Sequence, residues 1–415
     1  MDISRRTVLA GALAAVPVAL LAAGAVDPAV ADPLDPSEGG TGLASTGRPV
    51  VQQIQRALVE RYGSRTGFPA VVADGRYRGD TQQAIIHALQ LEIGLADDVA
   101  NGSFGPLTRS TLKATPGAVD LAVGATDGQA ATDSWLGHLL QAAVVVNTTW
   151  DGPFDGAFSA EQATRVAQFQ RSVALPETGA ADFATWASLL SSTGDTDRPG
   201  TAVDCITVIT AARAATLKDA GYGIVGRYLT DSPVAGALEK QIADGELATI
   251  FGAGLRVFPI FQEGGTDATA FSYDRGTYSA GRAHEAAAAR GFLPGTTIYY
   301  AVDFDATDDE VHDQVMPYFR GVRDELARRG SAYAVGVYAG RSICSELASA
   351  HLTSASFVAD MSTGWGVNTA ERLPVDWAFD QVLEYSIGTG EGAVGIDKDI
   401  VSGRDPGQSA VAPVG

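Results

Sequence analysis

The sequence has few of the residues that build disulfide scaffolds, metal centres and nucleic-acid surfaces. Its 2 Cys among 415 residues are too few for a disulfide-stapled fold. We favour two buried free thiols at Cys205 and Cys344, with a bridge between them as the alternative. The 5 His lack ligand spacing, so we expect no metal and no cofactor. With 29 basic against 49 acidic side chains, the net charge of -20 makes nucleic acid an unexpected partner, because an acidic surface repels phosphate.

The composition is that of a folded chain with more than one domain. Hydrophobic residues make up 46% and charged residues 19% of the sequence, which excludes a largely disordered chain. At about 100 to 200 residues per domain, the length predicts two or three domains.

The N-terminus has the pattern of an export signal. Arg5 and Arg6 precede a run of Ala, Val and Leu that reaches about Gly24, and Ala29-Val30-Ala31 offers the small residues of a cleavage site. Residues 1–31 are therefore predicted to be a cleaved twin-arginine signal, which would place the protein outside the cell or in the cell wall. An uncleaved membrane anchor is the alternative. No later stretch has the length and apolar purity of a membrane span.

An internal repeat follows a Pro- and Gly-containing linker at residues 32–49. Residues 50–115 and 132–192 each contain an Asp-Gly turn, an aromatic residue two positions on and a helical stretch that ends in Gln. These features are Asp74-Gly75, Tyr77 and Gln90 in the first unit, and Asp155-Gly156, Phe158 and Gln170 in the second. Apolar residues at steps of three and four predict two small all-α units of three short helices each.

The repeated motif resembles the peptidoglycan-binding domain family. The match is the pattern Asp-Gly-x-Phe followed by a helix ending in Phe-Gln and a second Gly-containing turn. The first unit departs from it by having Tyr77 in place of Phe and one extra residue before its helix. The resemblance implies peptidoglycan as the partner, and helical spacers without ligand affinity are the alternative.

Residues 201–404 change to short runs rich in Val, Ile, Tyr and Phe that alternate with helical stretches, and residues 405–415 form a tail. This alternation predicts an α/β protein with a (β/α)8 TIM-like barrel. The predicted strands are 202–206, 223–229, 256–262, 296–304, 334–338, 356–360, 380–385 and 395–400.

The chemistry of such a barrel lies at the carboxyl ends of its strands, at the end that we call the mouth. Acids, amides and aromatic residues occupy those positions, a mixture that is typical of sugar sites. The candidates are Asp204, Tyr228, Gln262, Glu263, Asp303, Asp305, Tyr338, Asp360, Gln381, Asp397 and Asp399.

Asp303-Phe304-Asp305 is the sharpest local signal among these candidates. Residues two apart in a strand point to the same side, so both carboxylates are expected to face the mouth. Two like charges this close cannot both ionise freely, so one is expected to keep its proton and serve as a donor. Capping of the next helix or pairing with an Arg is the alternative.

The whole segment from Thr201 to Gly403 resembles the glycoside-hydrolase-like domain of exported actinobacterial proteins, a relative of the family 25 lysozyme-type muramidases. The match includes Phe258-Pro259-Ile260-Phe261-Gln262, the run from Ile298 to Asp305, and Ile396-Asp397-Lys398-Asp399. Those muramidases cleave peptidoglycan glycan with an Asp-x-Glu pair on the fourth strand. Here Asp305 occupies the Glu position, and its carboxylate is one methylene nearer the backbone.

The resemblance therefore implies catalysis by Asp303 and Asp305, with Glu263 as a possible substitute acid. The remaining candidates are expected to bind substrate: Asp204, Tyr228, Gln262, Tyr338, Asp360, Gln381, Asp397 and Asp399. The function expected from the sequence is hydrolysis of peptidoglycan or a related cell-surface glycan by an exported cell-wall protein. The alternative is a binding protein whose hydrolase-like barrel has lost turnover.

Overall fold

The computed structural model describes residues 47–115, 120–122, 135–234 and 236–412. The predicted signal at residues 1–31 and most of the predicted linker at 32–49 lie outside the described residues. Within the described ranges, no helix combines the length and the apolar character needed to cross a membrane.

The N-terminal part of the described chain is helical. Pro49 and Pro106 begin the first and third helices, where a missing backbone N–H costs nothing. Ser159 and Asp182 cap the fifth and sixth by accepting hydrogen bonds from backbone N–H groups. The helices are α1 (Pro49–Tyr62), α2 (Gly79–Glu92), α3 (Pro106–Ala114), α4 (Leu136–Asn147), α5 (Ala160–Ser172) and α6 (Phe183–Leu190).

Buried glutamines hold equivalent turns in the two halves of this helical region. Gln55 accepts a hydrogen bond from the Gly75 N–H at 2.8 Å, and Gln141 accepts one from the Gly156 N–H at 2.8 Å. Both glycines have a positive φ, 81° and 75°, which other residues rarely adopt. The halves nevertheless share one core, in which Leu89 of α2 and residues of α4 belong to the same buried cluster. The six helices of the two halves therefore pack around one shared core, and the predicted division into two three-helix units is not confirmed.

The C-terminal part is a closed barrel of eight strands, as predicted, but it is mixed. Its strands are β1 (Ala202–Asp204), β2 (Ile224–Tyr228), β3 (Arg256–Phe261), β4 (Thr297–Ala301), β5 (Ala334–Ala339), β6 (Ala355–Val358), β7 (Trp377–Ile387) and β8 (Val394–Val401). Neighbouring strands from β1 to β7 pair parallel, whereas β8 pairs antiparallel with both β7 and β1. The expectation of a regular (β/α)8 barrel was wrong here, because residues 388–393 are too few for a crossover and form a hairpin connection instead.

Helices cover the outside of the barrel. They are α7 (Ala211–Asp219), α8 (Glu246–Gly252), α9 (Tyr273–Ala289), α10 (Met316–Arg328) and α11 (Arg341–Ser349), with a π-helical turn at Val311–Val315 before α10. Side chains alternate along each strand between this outer layer and the barrel interior. Aromatic rings fill the interior, and Phe258 stacks on Phe379 with centroids 4.0 Å apart. The interior is therefore a packed core below the mouth.

The segment between β6 and β7 joins the barrel to the helical region. The Ala370 N–H donates to Gln82 Oε1 of α2 at 2.8 Å. Trp377 Nε1 at the start of β7 donates to the Ser172 carbonyl of α5 at 2.9 Å. These bonds help to position the helical region beside the barrel.

Candidate functional site

The alternation of side chains along the strands decides which candidates reach the mouth. Phe258 and Ile260 of β3 belong to the interior cluster, so the next inward position is Gln262. Tyr299 of β4 also points inward, and further steps of two residues along the chain place Ala301 and then Asp303 on the same side. The residues brought together in this way are Asp204, Tyr228, Gln262, Asp303, Tyr338, Gln381 and Asp397, with Asp399 deeper in the barrel.

Gln381 of β7 links two carboxylates that meet across the β1–β8 pairing. Asp204 and Asp397 are direct register partners, which places both on the inward face. Gln381 Nε2 donates to Asp204 Oδ2 at 2.6 Å and to Asp397 Oδ2 at 3.3 Å. The Tyr338 hydroxyl donates to Gln381 Oε1 at 2.9 Å, which fixes the orientation of the amide.

Asp303 is held on the other side of the mouth by a second amide. Gln262 Nε2 donates to Asp303 Oδ2 at 3.1 Å, and the Asp303 backbone N–H donates to the Gly265 carbonyl at 2.7 Å. Gln262 Oε1 in turn accepts a hydrogen bond from Lys240 Nζ at 2.5 Å. The mouth thus contains a lysine beside its aspartates.

The pattern of strand ends did not indicate Lys240, because this residue lies in the loop after β2 and not at a strand end. The loop folds back beside the strand, where Gln241 forms an isolated parallel bridge with Tyr228. A lysine within a loop at the mouth was the available signal, but nothing in the sequence shows that the loop returns to β2.

Burial and mutual repulsion shift the titration of this site. Burial raises the pKa of Asp204 well above its ordinary value, and the nearby Asp397 charge adds to the effect. Burial also raises the pKa of Asp399, with the Asp204 charge as the next cause, and within the described part of the chain neither carboxylate oxygen of Asp399 has a hydrogen-bond partner. Burial lowers the pKa of Lys240 to about 8, although the Asp303 charge opposes that shift. The carboxyl groups of Asp204 and Asp399 are therefore suited to keep a proton near neutral pH.

Glu263 does not lie in the mouth. It follows the outward residue Phe261 by two positions, and its side chain is only 4% exposed. Its carboxylate accepts hydrogen bonds from Arg282 of α9, with Nη2 at 2.9 Å. The hypothesis of Glu263 as a substitute acid placed it on the wrong face, because adjacent strand residues point to opposite sides.

Asp360 is also outward, in contrast to its expected position. It is fully buried beneath α11, where Arg341 Nη2 lies 2.5 Å from Asp360 Oδ2. Its neighbour in sequence, Ala359, occupies the alternate face.

Asp305 is bound to the segment between β6 and β7. Strand β4 ends at Ala301, so the alternation that predicted a common side for Asp303 and Asp305 does not extend this far. The Asp305 carboxylate accepts hydrogen bonds from the Gly366 N–H at 2.9 Å and the Val367 N–H at 3.2 Å. The structure therefore gives Asp305 an anchoring contact that the sequence did not indicate.

Other candidate chemistry is sparse. Cys205 and Cys344 are both buried and free. Among the described residues, no group of three or more His, Cys, Asp or Glu side chains is arranged to hold a metal ion.

Comparisons with known proteins agree with this architecture. Residues 44–190 match the family described as FadG/YbfG, PGDB-like domain. FadG of Bacillus subtilis (strain 168) is 42% identical over 362 residues, which cover 87% of this chain and 61% of FadG. YbfG of the same organism is 43% identical over 383 residues, which cover 89% of this chain and 50% of YbfG. Both are described as uncharacterized, and the chain spans about half to three fifths of their lengths.

Among solved structures, the Tat-secreted protein Rv2525c of Mycobacterium tuberculosis, in complex with HEPES, aligns with a TM-score of 0.42 and 24% identity. The alignment covers 51% of this chain and 99% of that one. Residues 215–401 match the family described as Rv2525c-like, glycoside hydrolase-like domain. The barrel of this chain is thus similar to the Rv2525c-like, glycoside hydrolase-like domain over residues 215–401.

Proposed function

We propose that this chain is an exported cell-wall protein whose barrel hydrolyses O-glycosyl bonds of peptidoglycan or a related cell-surface glycan. One observation carries the proposal: Asp204 and Asp303 converge at the mouth together with Asp397, and the side-chain amides of Gln381 and Gln262 hold the Asp204 and Asp303 carboxylates. Carboxylates in this state remain available to a ligand.

The chemistry needs one carboxyl group that donates a proton and one that stays ionised. Asp204 is suited to be the donor, because burial and Asp397 raise its pKa well above the ordinary range. Asp303 is the group on the opposite side of the mouth, and we assign it the role of the second carboxyl group. Tyr228 and Tyr338 provide ring surface beside them, which suits the apolar face of a sugar.

The helical region would tether this barrel to the wall polymer and raise the local concentration of substrate. Support comes from the repeated Gln-held turns and from the match of residues 44–190 to the PGDB-like family. The twin-arginine pattern at Arg5 and Arg6 supports export.

A specific observation favours a second candidate, a glycan-binding protein without turnover. Asp305 occupies the position of the muramidase acid, and its carboxylate is already bound to backbone N–H groups of the segment between β6 and β7. Glu263, the nearest alternative, is ion-paired on the outer face. In this candidate the mouth recognises glycan only.

Purified cell walls distinguish the two functions. We expect the wild type to release new reducing ends and to clear a wall suspension, and Asp303→Asn to lower the rate by about 100-fold or more, since loss of a general acid or base typically costs 10²–10⁴. The control is Asp313→Asn, which changes an exposed carboxylate of the π-helical turn. Co-sedimentation of the wild type with walls, without any released sugar, would establish the binding protein and reject the hydrolase.

A further inference from the structure

Lys240 is held at the mouth by its own backbone. The Lys240 and Gln241 N–H groups both donate to Asp231 Oδ1, at 2.6 and 2.9 Å. The Ile242 N–H donates to the Tyr228 carbonyl at 2.8 Å, which attaches the loop to the end of β2. A side chain fixed at its base by three backbone hydrogen bonds has lost much of the positional freedom of a surface lysine.

The ammonium group of Lys240, a partly buried residue, has no carboxylate partner among the described residues. Nζ donates to the neutral amide of Gln262 at 2.5 Å and lies 4.2 Å from the ring centroid of Tyr228. No carboxylate of the described residues lies within the 4.0 Å ion-pair distance of this nitrogen, whereas Lys113 has both Asp195 and Asp197 within that distance. Charges removed from water are normally paired, so a partly buried ammonium at the mouth without a carboxylate partner among the described residues indicates a negative group supplied by a ligand.

We propose that Lys240 recognises a carboxylate on the sugar bound at the mouth, and so makes the barrel selective for acidic glycans. The inference rests on the proposed glycan partner and adds its chemical class. An ammonium has three N–H donors, and the Gln262 amide uses one of them. The remaining donors suit a carboxylate, which forms stronger hydrogen bonds with a cation than a hydroxyl does.

The geometry of Gln262 explains why the resident aspartates do not already serve as the counter-ion. The Gln262 side chain lies between Lys240 and Asp303, accepting from the first and donating to the second. It therefore holds the cation and the proposed catalytic carboxylate apart, so that each can face a different group of the same ligand.

Equilibrium binding tests this proposal independently of turnover. Full-length protein is titrated calorimetrically with three oligosaccharides that carry no peptide. The first carries the lactyl carboxylate of muramic acid, and the second is the same oligosaccharide with that carboxylate reduced to an alcohol. The third is a uronate oligomer. We expect Lys240→Met to weaken binding of a carboxylate-bearing ligand by about 10- to 100-fold, the usual loss for a hydrogen bond to a charged group. Lys240→Arg should retain most of the affinity.

The comparison between ligands identifies the role. Wild type and Lys240→Met should bind the reduced oligosaccharide within about 2-fold of each other, and Lys218→Met, which changes an exposed residue of α7, should leave all affinities at wild-type values. Preference for the lactyl or the uronate ligand identifies the source of the carboxylate. Equal binding of acid and reduced forms by the wild type would overturn the proposal for Lys240 while leaving glycan hydrolysis intact, whereas absence of binding to every glycan would overturn both.

Discussion

The inner and outer faces of the barrel treat their acidic side chains differently. On the outer face each of four buried acids is paired with an arginine: Asp360 with Arg341, Asp380 with Arg198, Glu246 with Arg227 and Glu263 with Arg282. On the inner face, Asp204 and Asp303 are held by the amides of Gln381 and Gln262. Neither carboxylate oxygen of Asp399 has a hydrogen-bond partner among the described residues.

This difference separates structural acids from acids that are available to a ligand. A guanidinium group neutralises a carboxylate and occupies its lone pairs with paired donors, which leaves little for another ligand. An amide orients the carboxylate without neutralising it. The inner face therefore keeps Asp204 and Asp399 buried near each other, where burial and mutual repulsion oppose their ionisation, at a cost in stability that functional sites commonly have.

We expect the largest loss of stability when an arginine is removed from the outer face. In the Arg341–Asp360 pair the two side chains are only 7% and 0% exposed, so Arg341→Met would leave a buried carboxylate without its partner. We expect the free energy of unfolding to fall by about 3 to 5 kcal/mol. Urea denaturation followed by circular dichroism measures it.

The matched control for this variant is Arg323→Met, because Arg323 pairs with Asp324 in solvent, with side chains 50% and 45% exposed. The expected loss there is about 0 to 1 kcal/mol. Equal losses in the two variants would show that the outer pairs do not neutralise buried charge in the way described.

The second test applies the opposite change to the inner face. Burial raises the pKa of Asp399, so between its unfolded value of about 4 and its higher folded value the unfolded state binds fewer protons. Stability must then fall as pH rises through that window. Asp399→Asn removes this loss, and we expect it to stabilise the protein by about 1 to 3 kcal/mol at pH 7.

Thermal unfolding at two pH values checks the sign of this effect. At about pH 3, below the unfolded value of about 4, the wild-type carboxyl is mostly protonated in both states, so the variant and the wild type should have similar stability there. A variant that is equally stabilised at both pH values would mean that ionisation of Asp399 is not the cause.

The smallest effect is expected at Asp305, which belongs neither to the arginine-paired acids of the outer face nor to the amide-held acids of the inner face. Its carboxylate is exposed and accepts hydrogen bonds from Gly366 and Val367, so Asp305→Asn weakens one anchor of the segment between β6 and β7. We expect a loss of stability of about 1 kcal/mol or less. Release of reducing ends should fall much less than in Asp303→Asn, and an equal fall would return Asp305 to a catalytic role.

Several features of the barrel were predictable from local pattern alone. All eight strands lie within or close to their predicted ranges, because runs rich in Val, Ile, Tyr and Phe mark buried strands. Asp204, Gln262, Asp303 and Gln381 were named because they follow or end those strands. The antiparallel direction of β8 was missed, although the short connection at residues 388–393 carried the signal.

The errors at the site have one physical origin. Glu263 and Asp360 were selected by distance along the chain from a strand end, without asking which face each residue occupies. Lys240 was missed because a loop that folds back onto β2 brings it to Gln262, 22 residues further along the chain. Residue type alone does not show which face of the barrel a side chain occupies, or whether a loop folds back onto a strand.

The amino-acid sequence by itself determined which segments form helices and strands, since propensity and periodicity act over a few neighbouring residues. It also supplied the acids, amides and tyrosines at the strand ends. Only the tertiary structure decided which of those acids meet arginine on the outside and which meet an amide on the inside, because closure of the barrel joins β1 to β8 and brings Asp204 opposite Asp397. Contacts between residues so far apart along the chain depend on the closed ring of strands, and no local pattern encodes them.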